Sequence, residues 1–311
     1  MNDTTATIDL VCMGEPMLEF NQQPGGGPRL YLEGCGGDTS NAAVAAARQG
    51  ARVAYVTALG DDPAGARFFE LWAREGVDAS AVRRDPHRPT AVYFVTHGPR
   101  GHEFLYYRKH SAAAGMTAAD VPAAMIRQAR MLYASGISQA ISDSAADAVF
   151  HAIAVARAAG VRVAYDTNYR PRLWPPARAA AVVHAAIALS DIALPGLEDA
   201  QVLTGLTDPD AIADFYHGLG PGIVVLKMGA QGALLRTRDQ RLMLPAFPCA
   251  PVDATGAGDT FCGAFLARLI AGDSPETALR YAAAAAALQT EGYGAVAPIP
   301  HAATVHAALA R

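Results

Sequence analysis

DATGAGDTF, residues Asp253 to Phe261, leads directly into CGAFLARLIAG, an apolar run of helical character. Two glycines, two aspartates and two threonines therefore stand where a turn becomes a helix. The stretch is not a P-loop, because it lacks the Gly-Lys-Ser/Thr ending, which occurs nowhere in the chain. Nor is it a dinucleotide fingerprint. Phe261 stands where the third glycine is needed, and the preceding PAFPCAPVDAT carries three prolines, poor material for a central strand. The turn still aims the backbone N–H groups of Gly256, Ala257 and Gly258, and a helix N-terminus, at one point, which makes an anion site. Asp259 falls in the first helical turn beside that anion. A capping aspartate contributes about 1 kcal/mol and needs no ligand. A carboxylate next to phosphate is repelled by it and calls for a task, and general base to an attacking hydroxyl is one.

A second glycine pair opens GGDTSNAAVAAARQG, residues 36–50, again just ahead of a helix. Gly37 allows a ligand close to the backbone, while Asp38 and Asn41 offer acceptors and donors to hydroxyl groups. Around these stretches, short Val/Ile/Leu-rich runs alternate with longer Ala-rich segments of helical period, the pattern of a parallel sheet covered by helices. The runs are IDLVCMG (8–14), RVAYVTALG (52–60), MLYASG (131–136), VRVAYDTN (161–168), IALPG (192–196) and GIVVLKMG (222–229). The expected fold class is α/β, with a mostly parallel central sheet flanked by helices. Two segments interrupt the rhythm, at about 15–37 and 88–113. The second reads as two strands joined by HGPRGH, and together they suggest a small β-sheet lid on one domain spanning 1–311. Helical patterns cover 41–50, 65–76, 142–160 and 178–190, and RYAAAAAALQ (280–289) reads as a buried helix.

Composition narrows the function classes. A formal charge of −4 with no basic run argues against nucleic acid and leaves a small molecule as the expected partner. Four scattered cysteines, without a C-x-x-C pair, suggest neither zinc site nor disulfide framework. MNDTTATIDL lacks the basic and apolar regions of a leader, and no apolar run approaches a membrane span of about 20 residues, so a cytoplasmic protein is expected.

DATGAGDTF and GGDTSN together resemble the two signatures of the ribokinase-like (PfkB) family of sugar kinases, and the first matches D-x-T-G-A-G-D-x-F without a departure. The likeness runs through the opening strand ending in Gly-Glu, both lid segments and the strand LKMGAQGALL (226–235). TAVYF (90–94), FLYYRKHSAA (104–113) and DTNYRPRLW (166–174) look like the branch that phosphorylates the 6-hydroxyl of 2-keto-3-deoxygluconate. A sugar acid carries a carboxylate, which a planar guanidinium binds through two parallel hydrogen bonds, and Arg108 and Arg170 are candidates. Tyr93, Tyr106 and Tyr107 would form an aromatic wall with hydroxyl donors.

The resemblance further implies ATP and magnesium, with Lys227, Gly229, Gln231 and Gly232 near the nucleotide and Asn168 and Arg170 near phosphates and sugar. It leaves a monovalent cation open. Gly196 to Asp199, GLED, lies where many relatives carry the magnesium-organising N-x-x-E, so Asp199 is the candidate metal residue, with Gly replacing Asn and Asp replacing Glu. Asp259 would be the base and Gly256, Ala257 and Gly258 the anion hole; Asp253 is expected to form a turn. A homo-oligomer through the lid is expected. Kinases of fructose, ribose, nucleosides or 2-keto-3-deoxygalactonate, or a sugar-sensing relative without turnover, remain alternatives.

Overall fold

The structure is a computed structural model that describes residues 8–23, 30–98 and 101–310. Residues 1–7, the PGGGPR turn of the first lid segment (24–29) and Pro99-Arg100 of the hairpin turn lie outside the described residues.

Eight strands form the main sheet. Across it they run Arg241–Leu244, Ala233–Thr237, Ile223–Lys227, Ile192–Ala193, Arg162–Asp166, Ala129–Ser135, Ile8–Met13 and Val53–Val56. The six from Ile223–Lys227 to Val53–Val56 are parallel, and the first two add an antiparallel edge. Strands buried on both faces read as near-continuous apolar runs. In Ile8–Met13, Leu10 and Cys12 pack into one helical layer while Val11 and Met13 pack into the other. The first layer holds helices Asp38–Arg48, Pro63–Glu75, Ala257–Ala271 and Pro275–Gln289, and the second holds Asp143–Ala158, Pro176–Ala188 and Pro209–Leu219.

Four strands, Tyr31–Gly36, Met17–Gln22, Ala91–Gly98 and Gly101–Tyr107 in spatial order, form the separate small sheet. Its position in the sequence is the one expected for the lid. Two expected elements take a different form. RVAYVTALG splits after Val56, and Ala58–Gly60 leaves the main sheet to pair with Arg83–Asp85. LKMGAQGALL is a hairpin and not one strand: Ile223–Lys227 and Ala233–Thr237 pair antiparallel around Gly229–Gln231. Gly232, at φ 96°, closes that turn where an added Cβ would lie 2.0 Å from the Leu244 carbonyl oxygen.

The strand order places Ile8–Met13 between Val53–Val56, which follows it in sequence, and Ala129–Ser135, which comes much later. Such a switch point opens a crevice beyond the carboxyl ends of the strands, where ligands of open α/β sheets bind. Glu15, Ser135, Asp166 to Asn168, Gly196 and Lys227 all sit at or just past those ends.

Candidate active site

Two helix N-termini meet over this crevice because their helices cross on small residues. A Cβ at Gly263 would stand 2.2 Å from the Ala42 carbonyl oxygen and 2.7 Å from the Ala45 methyl, so glycine and an alanine-rich partner set the spacing. That approach brings the Asn41 amide to donate to Asp259 Oδ2 at 2.9 Å across 218 residues of sequence. Helix Asp38–Arg48 begins three residues before the expected 41, since Gly37 at φ 107° forms its N-cap. Asp38 consequently sits in the first turn, buried, and accepts from Ser135 Oγ at 2.5 Å and Asn168 Nδ2 at 2.8 Å. Asp38 Oδ1 and Asn41 Oδ1 are buried acceptors with no hydrogen-bond partner among the described residues.

Gly256 caps helix Ala257–Ala271 in the left-handed region at φ 81°, with its would-be Cβ 3.0 Å from the Ala295 carbonyl oxygen. Ala257 N–H already donates to the Ala254 carbonyl at 3.2 Å, whereas Gly256, Gly258 and Asp259 N–H find no acceptor among the described residues. The open N–H groups are therefore those of Gly256, Gly258 and Asp259, so Ala257 drops out of the Gly256 to Gly258 reading and Asp259 joins it. Asp253 forms the turn expected of it. Its Oδ1 accepts from Thr255 N–H and Oγ1, and its Oδ2 from Gly294 N–H.

Asp259 is half-buried at the mouth of the helix. Loss of solvent is the main cause that pushes its carboxyl up, the neighbouring Asp38 adds to it, and the Asn41 amide pulls back; the result is about 7. Burial likewise raises the Asp38 carboxyl. Lys227 projects beneath the turn, its ammonium 3.8 Å from where a Gly258 Cβ would be. It is held by Asp166 Oδ2 at 2.5 Å and lies 3.2 Å from Cys262 Sγ, which also donates to Asp166 at 3.2 Å. Burial works against the lysine's charge, but Asp166 outweighs it and leaves the ammonium above its ordinary range.

The other expected residues divide. Tyr93 and Tyr106 face each other across the lid hairpin with ring centroids 5.8 Å apart, and Phe104 stacks on Tyr106 at 6.0 Å. The Tyr93 hydroxyl donates to Glu19. Tyr107 is not brought to this wall. The alternation of the strand turns it to the opposite face, where it meets Phe94 and is 60% exposed. Arg108 pairs with the fully buried Glu15, whose other oxygen accepts from Ser111 Oγ at 2.6 Å, while Arg108 Nε is buried without a hydrogen-bond partner among the described residues. Arg170 is exposed and bonds the Tyr169 carbonyl at 2.9 Å. Gly229 and Gln231 are exposed on the hairpin turn. Asp199, three residues after Gly196, accepts the Tyr169 N–H at 2.9 Å, and burial raises its carboxyl to about 6.

The model for the pfkB family of carbohydrate kinases matches residues 9–302. The chain belongs to this family. The 2-dehydro-3-deoxygluconokinase of Thermoproteus tenax is 36% identical to it over 291 residues, covering 91% of this chain and 88% of that protein. The enzyme of the same name from Bacillus subtilis (strain 168) is 32% identical over 302 residues, with 94% and 93% covered. A crystal structure of fructokinase from Vibrio cholerae O395, with fructose, ADP and a calcium ion bound, aligns at a TM-score of 0.86 and 28% identity over 98% of this chain and 99% of that one. As a pfkB kinase the chain is a phosphotransferase with an alcohol acceptor, and the ribokinase-like fold expected from its two signatures is the fold it has.

Some residues in this pfkB site escape a motif reading. Asp166 ends an apolar strand, VRVAYD, and a carboxylate at the carboxyl end of a parallel strand is itself a signal. Ser135 and Cys262 carry no such mark. Only packing shows that they touch Asp38 and Asp166.

Proposed function

We propose that the protein phosphorylates the 6-hydroxyl of 2-keto-3-deoxygluconate with ATP. The observation that carries the kinase chemistry is the Asn41–Asp259 contact, which holds a carboxylate of pKa about 7 next to three open N–H groups at a helix start. Asp259 takes the proton of the attacking hydroxyl, and Asn41 fixes which oxygen is free to do so. Gly256, Gly258 and Asp259 N–H, with the Lys227 ammonium behind them, offset charge that develops on the transferring phosphoryl group. Asp38 and Asn41 bind substrate hydroxyls through their unpartnered oxygens. Asn168, Arg170, Gly229, Gln231 and Gly232 line the nucleotide side, and the whole chain works as one domain with its lid.

Magnesium fits this arrangement as a companion of the nucleotide. Among the described residues no three acids, cysteines or histidines converge as a protein-built cage would need, and Asp166 and Asp199 each have an oxygen committed elsewhere. The ion would therefore be carried by phosphate oxygens and water and not by either of these carboxylates directly. When bound, it neutralises charge on the transferring phosphoryl group.

The sugar-acid preference rests on Arg108, whose buried Nε is a donor without a hydrogen-bond partner among the described residues, beside the Tyr106 ring, and on the 2-dehydro-3-deoxygluconokinase relatives. ATP consumption measured over 2-keto-3-deoxygluconate, its galacto epimer, fructose, ribose and a nucleoside tests it. The expected kcat/KM for the acid sugars exceeds that for the neutral ones by about a hundredfold, the worth of one hydrogen bond between charged partners. A preference for fructose or ribose would overturn it. Arg108→Ala is a poor probe, because it strands the buried Glu15 carboxylate. Arg108→Lys keeps a cation there but loses the planar fork, and is expected to raise the acid-sugar KM about tenfold with the ATP KM unchanged.

The outer lid face supports association of two copies. Phe20 stacks on Phe94 at 5.0 Å, Tyr31 meets Phe94 edge-on, and Leu105 and Tyr107 are more than half exposed. Among the described residues no helix is long and apolar enough to cross a membrane.

A further inference from the structure

The loop Asp166–Arg172 joins three parts of the site. Asn168 donates to Asp38, Lys227 pairs with Asp166, and Arg172 donates to the Phe104 carbonyl of the lid at 2.7 Å. Its backbone is under strain, since Asn168, a residue with a Cβ, sits at φ 28°. Positive φ at a non-glycine residue costs on the order of 1 kcal/mol and persists only when surroundings hold it. Three contacts do so: Asn168 N–H to Asp166 Oδ1 at 3.2 Å, Gly196 N–H to Thr167 Oγ1 at 3.3 Å, and Tyr169 N–H to Asp199 Oδ2 at 2.9 Å. The last is the shortest, and the only one in which a side chain from another element accepts from this loop's backbone. Gly196, the N-cap of helix Leu197–Thr204, has no side chain to fill the gap, and Asp199 lies back across it, with Oδ2 3.6 Å from where a Gly196 Cβ would stand.

We infer that Asp199 is a positioning residue that clamps the strained Asn168 turn, and through it the orientation of Asp38, instead of organising the metal. The inference rests on the kinase reading for its consequence but not for its geometry. An asparagine at 199 can still accept the Tyr169 N–H through its amide oxygen while it removes the charge a metal would need; alanine removes both.

Two readouts separate the outcomes. Amide hydrogen exchange of residues 167–170 in the ligand-free protein needs no activity. Asp199→Ala is expected to speed it about tenfold or more, and Asp199→Asn to keep it within about threefold of the parent. Steady-state kinetics then read the consequence. Asp199→Ala raises the sugar KM about tenfold, Asp199→Asn restores it, and the free magnesium for half-maximal rate moves less than about threefold in Asp199→Asn. Unchanged exchange in Asp199→Ala overturns the clamp even if the protein phosphorylates no sugar. A tenfold higher magnesium requirement in Asp199→Asn overturns it in favour of a metal role. Thermal unfolding of both variants reports whether Asp199→Ala folds; if it does not, the magnesium curve and exchange of Asp199→Asn decide alone.

Discussion

Asp259→Asn is expected to lower kcat about a thousandfold, with little change in the KM for ATP. Asparagine keeps an oxygen for the Asn41 amide, so the crossing of the two helices stays intact, but it cannot take a proton. The parent enzyme should show log kcat/KM rising with unit slope below about pH 7 and levelling above it, because the base works only when ionised and its carboxyl is raised to about 7. The variant should lose that limb. Stability should move the other way. A carboxyl whose folded pKa lies above its unfolded value holds its proton better in the native state, so its contribution is full below about pH 4 and disappears as pH rises through about 7. Asparagine does not titrate, and Asp259→Asn should unfold at higher temperature than the parent at pH 8, a dead but firmer protein. A loss of less than about tenfold in kcat would sink the base assignment.

Lys227→Met is expected to cost about 3–5 kcal/mol of stability, read as a lower urea midpoint. Asp166 is 1% exposed, and without the ammonium its charge has only the Cys262 thiol and backbone donors for company. The double variant Lys227→Met, Asp166→Asn should recover most of that loss, since no bare buried charge remains, while activity stays absent because the cation beneath Gly258 is gone. A stability change below about 1 kcal/mol in the single variant would mean that water reaches Asp166 and that the pair is not a buried one.

Much of the site was legible in the chain. DATGAGDTF and GGDTSN each carry glycines that their backbone demands, Gly256 in the left-handed region and Gly37 at φ 107°, so composition and conformation agree there. Apolar runs marked the parallel strands because strands buried on both faces admit little else. Tyr107 was misplaced because YYR gives no clue to which of two alternating residues faces the cleft; that depends on register with Tyr93 in the neighbouring strand. LKMGAQGALL read as one strand because two glycines can equally bend a strand or close a turn.

The sequence by itself determined the local chemistry: two glycine-rich helix starts, an aspartate in the first turn of each, and a lid hairpin rich in tyrosine. Only the tertiary structure decided which of these groups act together. Gly263 against Ala42 and Ala45 sets the distance at which Asn41 reaches Asp259, and burial raises both carboxyls, with Asp38 adding to the rise at Asp259 and Asp166 to that at Asp38, only because all three lose water in one crevice. Side-chain identity fixes what a group can donate or accept, but its pKa and its partner depend on distances between residues far apart in sequence, and packing alone sets those.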